Sequence, residues 1–180
     1  MTLDTLHTQI DSIRAEAASA QRAYGSQVQN VNSDTSLSAE GKAAQKQQIN
    51  ANAKAALSAL RAKETAAIDM KVRDIEKILD SKVGNTATDI IAFRDAQDRA
   101  ERFENPEDAT KALERALRTE DKVLAHAIFR RGIESNWRPV IAAFGNANPD
   151  KKDVVTELAY LRDAQTNTLG RAMHYMWMNV

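Results

Sequence analysis

Leu3, Leu6, Ile10, Ile13, Ala17, Ala20 and Tyr24 recur at alternating spacings of three and four, with polar residues between them. This is the seam of a coiled coil, in which one narrow apolar stripe faces a partner helix. The stripe slips to Val28 and Val31 and meets the polar run Asn32-Ser33-Asp34-Thr35-Ser36. Side chains of these types bond to nearby backbone and compete with helix, so a turn is predicted near 32–36. Ser36 or Ser38 can cap the next helix, and Glu40 lies in its first turn, where a negative charge favours the helix dipole.

The second helix is predicted from about Leu37 to about Lys82, with Gly84-Asn85 as its stop. Folding the chain back about Asp34 places Ile13 opposite Ala56 or Leu57, Ala17 opposite Ala53 and Ala20 opposite Ile49. Large residues then meet small ones, as a close antiparallel pair requires. The second helix outlasts the first, and beyond Ala66 its alanines give way to Ile68, Met70, Val72, Ile75, Ile78 and Leu79. This overhang is expected to dock on the second half of the chain or on another subunit. Ile68, Val72, Ile75 and Leu79 are therefore candidate interaction residues.

The second half reads as shorter helices. Thr86 or Thr88 can cap one that carries Ile90, Ile91, Phe93, Ala96, Ala100 and Phe103. Asn105-Pro106-Glu107-Asp108 supplies an N-cap, a proline at the first helical position and two early acids, a clear helix start. A further helix follows Thr119-Glu120-Asp121, with Gly132 near its end. Trp137-Arg138-Pro139 opens another, which Gly145 closes. Asn148-Pro149-Asp150 repeats the earlier start and leads into a long helix through Val154, Leu158, Leu161 and Leu169. The closing stretch, read as a helix, puts Met173, Met176, Trp177 and Val180 on one face and Tyr175 and Met178 on another. A helix apolar on two faces must be buried in its own domain or against a partner. Met173, Tyr175, Met176 and Trp177 complete the candidate interaction set.

The predicted fold is all-α: a long antiparallel coiled-coil-like helical hairpin over 1–83, then a compact bundle of short helices over 84–180 with an apolar C-terminal helix. Aromatic content sharpens this division. Tyr24 is the only aromatic residue before Phe93, and eight follow from there on. Each aromatic buries roughly 150–250 Å², so a bulky core belongs to the second half, while the alanine-rich first half has a thin seam. A thin seam stabilises a lone hairpin weakly, which points to self-association.

Charge and composition exclude more than they assign. The 25 Lys+Arg balance 25 Asp+Glu, leaving no basic excess of the kind that marks nucleic-acid binders. The absence of cysteine excludes disulfides and thiolate chemistry. No apolar run approaches the ~20 residues of a membrane span. Met1-Thr2-Leu3-Asp4 lacks the basic and apolar start of a secretory signal. A soluble, intracellular chain with no membrane or nucleic-acid partner is expected. His7, His126 and His174 fall on separate elements as surface or half-buried residues, without a metal-binding spacing. The charges of 94–102 alternate along a helix face as a solvated surface does. No glycine-rich phosphate loop or nucleophile elbow is present. No catalytic residue, cofactor or metal site is predicted, and the chain is expected not to be an enzyme.

Several stretches carry a likeness to known proteins. Ile91-Ala92-Phe93-Arg94-Asp95-Ala96-Gln97-Asp98-Arg99-Ala100, Glu114-Arg115-Ala116-Leu117-Arg118-Thr119-Glu120-Asp121, Leu124-Ala125-His126-Ala127-Ile128 and Trp137-Arg138-Pro139-Val140-Ile141 resemble helical proteins encoded among the virion structural genes of tailed phages that infect actinobacteria. Leu37-Ser38-Ala39-Glu40-Gly41-Lys42 looks like that group's second-helix start. The resemblance implies a scaffold-like, minor capsid or head–tail joining role, exercised in the host cytoplasm during assembly or in the virion. It implies homo-oligomers and contact with major capsid, portal or other virion proteins. The apolar closing segment departs from the basic coat-binding end common among scaffolding proteins. The alternative reading is a cytoplasmic helical adaptor or regulator that binds a protein partner.

Overall fold

The seam read from the sequence forms the first long helix. In the computed structural model, which describes residues 2–80 and 87–178, α1 spans Leu3–Ser33 and α2 spans Ala39–Asp80. Shorter helices follow: α3 Ala87–Glu101, α4 Pro106–Arg118, α5 Lys122–Glu134, α6 Arg138–Ala147, α7 Lys152–Thr166 and α8 Thr168–Ala172. Single 3₁₀ turns cover Pro149–Lys151 and Met173–Tyr175. No strand occurs among the described residues, and the fold is all-α. The stop expected at Gly84-Asn85, the cap Thr86 and the terminal Val180 lie outside the described residues.

Leu6, Ile10, Ile13, Ala17, Val28 and Val31 are the buried positions of α1, following the expected stripe. The reversal after it is held by local bonds. Asp34 Oδ1 accepts from the Ser36 N–H at 2.8 Å and the Ser36 hydroxyl at 2.6 Å. Those bonds hold the Asp34 carboxyl below its ordinary range. Ser38 Oγ accepts the Gly41 N–H and caps α2.

The two helices run antiparallel, with Arg14 reaching Glu64 at 2.8 Å and Lys42 Nζ donating to the Asn32 carbonyl at 2.9 Å. Ile13 and Ala17 share one buried cluster with Leu57 and Leu60. Leu57, expected opposite Ile13, is in that cluster, and Leu60, one turn further along α2, joins it. The turn differs from the predicted one: Asn32 and Ser33 stay helical, α2 starts only at Ala39, and the reversal therefore centres beyond Asp34.

Contacts divide the chain into two compact units. The first takes residues up to Lys71 together with those from Asn167 onward; the second is Val72–Thr166. The dividing line of contacts thus falls inside α2 and again at the end of α7, where spacing alone had suggested a single break near 83. Residues 167–178 had been assigned by spacing to the bundle; they pack with the hairpin.

In the second unit α5 is the central helix, packing against α3, α4 and α6. Six consecutive residues, Leu124 to Phe129, are buried, so α5 is enclosed on all sides. His126 is among them, where a surface or half-buried position was expected. It lies beside Phe129 and Phe144, whose rings stack at 4.1 Å. Gly132 is placed by contact rather than conformation, since a Cβ there would lie 2.6 Å from Val140 Cγ1. On α3, Ala96 and Ala100 are buried while Ile90 and Ile91 are exposed. The buried face of that helix is its small residues. From α2, Val72, Ile75 and Leu79 are buried in this unit. Glu76 accepts from Arg162 at 2.6 Å and lies 3.8 Å from Arg130.

The α4–α5 and α5–α6 connections share one geometry. Glu120 and Asn136 adopt positive φ of 55° and 54°. The following N–H groups, of Asp121 and Trp137, reach back to the carbonyls of Ala116 and Gly132. Both are Schellman turns, which close a helix on a left-handed residue. The two Asn-Pro-acid starts differ. Asn105 caps α4 by accepting the Asp108 N–H, whereas Asn148 makes no such cap and its amide donates to the Phe144 carbonyl. Helix α6 continues past Gly145 to Ala147.

Candidate interaction site

Sequence spacing suggested one long helix running to Leu169, followed by a two-faced apolar helix. The chain instead breaks at Asn167, whose side chain accepts the Gly170 N–H at 3.1 Å and starts α8. After Tyr175 the backbone is extended, with Met176 at φ −69° and ψ 136°. The two apolar faces therefore do not form. Consecutive side chains of the segment go different ways because its backbone bonds and its anchors on the hairpin override helical spacing.

Tyr175 enters the cluster formed by Ile13, Ala17, Leu57 and Leu60, and its hydroxyl donates to Glu64 Oε2. Glu64 is 0% exposed. Its other oxygen, Oε1, accepts from Arg14 Nη2 at 2.8 Å and from Arg171 Nε at 3.2 Å. Arg171 also donates to Thr65 Oγ1. A buried carboxylate thus receives two guanidinium donors and one phenol, the full pairing that a charge removed from water requires.

Burial alone would raise the Glu64 pKa. The hydrogen bonds from Arg14 and Tyr175 and the positive charges of Arg14 and Arg171 outweigh it and hold the carboxyl below its ordinary value. Burial pulls the other way on Arg14, yet its bond to Glu64 and that residue's charge keep the guanidinium above its usual value. For Tyr175, burial and then the bond to Glu64 both push the phenol above its ordinary range. These shifts favour the charged forms of Glu64 and Arg14 and the neutral form of Tyr175. The cluster is suited to holding the segment rather than to proton transfer.

A second set of contacts lies further along. Trp177 Nε1 donates to Asn50 Oδ1 at 2.8 Å, and its ring meets Tyr24 edge-on at 6.1 Å. Gln21 Nε2 donates to the carbonyls of His174 at 3.3 Å and Met176 at 2.8 Å. Both helices of the hairpin therefore hold the segment through side chains.

The eight candidate residues separate by exposure. Ile68, Val72, Ile75 and Leu79 are at most 3% exposed, and Tyr175 is 7% exposed. Trp177 is half-buried. These side chains are occupied within the chain. Met173 and Met176 stay exposed at 66% and 58%, joined by Leu169 and Met178 at 79% each.

Glu64, Arg14, Arg171, Gln21 and Asn50 were not singled out by the sequence. Glu64 had a readable sign: it falls four residues after Leu60 and seven after Leu57, on the seam itself. A charge at a seam position announces a buried partner, but not which one.

Among the grooves of the described residues, two run between paired helices. One, of about 980 Å³, lies open between α1 and α2 beside Thr8, Ser12, Glu16, Lys63 and Met70. The other, of about 400 Å³, lies between α6 and α7 beside Ile141, Val155 and Tyr160. Among the described residues no group of three His, Cys, Asp or Glu is placed to hold a metal ion. No helix among them is long and apolar enough to cross a membrane. No protein-family model, curated protein or solved structure matches the chain.

Proposed function

We propose that the chain is a non-enzymatic virion or capsid-assembly protein of a tailed bacteriophage, working by self-association and by binding other virion proteins such as the major capsid or portal protein. The observation that carries this reading is the form of the closing segment. Tyr175 and Trp177 tie it to the hairpin, while Leu169, Met173, Met176 and Met178 point apolar side chains into solvent. Methionines on an anchored support adapt to irregular partner surfaces, and anchoring lowers the entropy lost when a partner binds. The likeness of residues 91–100, 114–121, 124–128 and 137–141 to phage virion proteins supports the same reading, as does the slender alanine seam of the hairpin.

The test is sedimentation of the purified chain across concentration, followed by co-sedimentation with coat and portal proteins of a phage that encodes it. Concentration-dependent oligomers and binding to either partner are expected. A strict monomer that is absent from procapsids and virions overturns the reading. Capture of a host regulatory protein in its place would move the chain to the adaptor class.

A further inference from the structure

We infer that the segment 167–178 is an exchangeable arm, and that the hairpin site which holds it also takes the same segment from a second copy of the chain. Three observations lead there.

First, the site is built for recognition. A buried carboxylate reads Arg171 and Tyr175, Asn50 reads the Trp177 indole, and Gln21 reads two backbone carbonyls. This is peptide recognition by side chains, with one apolar pocket for a ring. Any copy of the segment satisfies it equally well.

Second, the segment joins the first unit from a distance in sequence. All of Val72–Thr166 lies between it and the rest of that unit. Its seat is thus completed by an element that the chain can supply from itself or from a neighbour, which is the arrangement domain swapping exploits.

Third, the junction rests on one residue and one side-chain cap. Helix α7 ends at Thr166 and α8 begins at Thr168, with only Asn167 between them. No proline lies from Lys152 to Tyr175, and the apolar spacing reads as helix across Asn167 as far as Leu169. What breaks it is the Asn167 side chain on the Gly170 N–H. A Cβ at Gly170 would lie 2.8 Å from Asn167 Oδ1 and 3.0 Å from its Nδ2, so the cap side chain would have to shift to admit one. If Asn167 turned helical, α7 and α8 would fuse into one unbroken helix, and the capped conformation in which the arm is seated would be lost. In a second copy every bond it had made would form again, so the balance rests on the hinge and on concentration.

This deepens the self-association proposed above and rests on it. The test keeps the two separable. The chain has no cysteine, so introduced thiols are unique. Gln21→Cys is placed in one tagged copy and Met176→Cys in a differently tagged copy, and the mixture is treated with a short bismaleimide. Met176 is exposed, and Gln21 reaches its carbonyl, so the two positions are neighbours when the arm is seated.

A link between differently tagged chains is expected, its yield rising with concentration. A chain carrying both cysteines should link within itself when dilute. Gly170→Ala crowds the cap and favours helix, and should raise the inter-chain yield about tenfold at a fixed concentration. Asn167→Ala should act in the same direction. Oligomers that form without any inter-chain link, in either background, would overturn arm exchange and leave self-association standing. A link that persists undiminished in Tyr175→Ala would show adventitious contact between copies and overturn it too. A monomer at every concentration would defeat both readings. If the hinge variants do not fold, as judged by helical circular dichroism, the wild-type hinge at high concentration gives the deciding result.

Discussion

Glu64 and Tyr175 are 111 residues apart in sequence, and the phenol of one donates to the buried carboxylate of the other. That bond closes a cluster in which Arg14 and Arg171 share the remaining oxygen. Removing the carboxylate leaves the mostly buried Arg171 and the partly buried Arg14 without their shared counter-charge. Glu64→Ala should therefore destabilise the first unit by about 3–5 kcal/mol, since two guanidinium groups lose their counter-charge. Tyr175→Phe, which keeps the ring and removes one donor, should cost about 1–2 kcal/mol. Urea unfolding followed by circular dichroism measures both.

The same cluster sets a dependence on pH from two sides. Glu64 has its folded pKa below the ordinary 4.5, so its stabilisation is present above that value and is lost as pH falls through the lower folded one. Tyr175 has its folded pKa above the ordinary 10.0, so its stabilisation is present below pH 10 and is lost as pH rises further. Unfolding midpoints should fall at both extremes. In Tyr175→Phe the alkaline loss should be smaller than in the wild type, and an equal loss would remove Tyr175 as its cause.

Met176 and Trp177 are neighbours with unequal roles. Trp177 donates to Asn50 and packs edge-on against Tyr24, whereas Met176 is 58% exposed and held by its carbonyl. Trp177→Ala should cost about 2–3 kcal/mol through lost burial and an unpaired amide. Met176→Ala should change stability by less than about 0.5 kcal/mol. If the proposed partner surface is correct, Met176→Ala with Met173→Ala weakens coat or portal binding in a pull-down while thermal unfolding stays unchanged.

Gly132 lets α6 approach α5. A methyl at that position meets Val140 Cγ1 at 2.6 Å and Val140 Cβ at 2.9 Å, closer than real side chains approach. Gly132→Ala should destabilise the second unit by about 1–3 kcal/mol through overpacking. Adding Val140→Ala should restore part of that loss, and the coupling is read from a double-mutant cycle.

Glu120 sits at φ 55° in the turn that closes α4, a conformation costing a side-chain-bearing residue roughly 1–2 kcal/mol. Glu120→Gly should relieve that strain and stabilise the chain by up to about 1 kcal/mol, after the entropy cost of glycine in the unfolded chain. Thermal unfolding gives the sign directly. A lower midpoint would mean that the Glu120 side chain contributes more than its backbone costs.

Local rules determined a large part of this molecule. The stripe from Leu6 to Val31 specified α1 because spacings of three and four lie on one helical face, whatever that face meets. Asn105-Pro106 specified the start of α4 because cap and proline act within one turn. Tertiary structure decided what depends on residues distant in sequence. The reversal centres beyond Asp34, because Asn32 and Ser33 stay helical and α2 starts only at Ala39. The closing segment was legible as apolar, but its break at Asn167 and its return to the hairpin were not. A side-chain cap at Gly170 and a carboxylate on α2 overrode a helical spacing that continues through both. Periodicity reports which face of a helix wants to be buried. It carries no record of the buried Glu64 that gives Arg171 and Tyr175 a place to go.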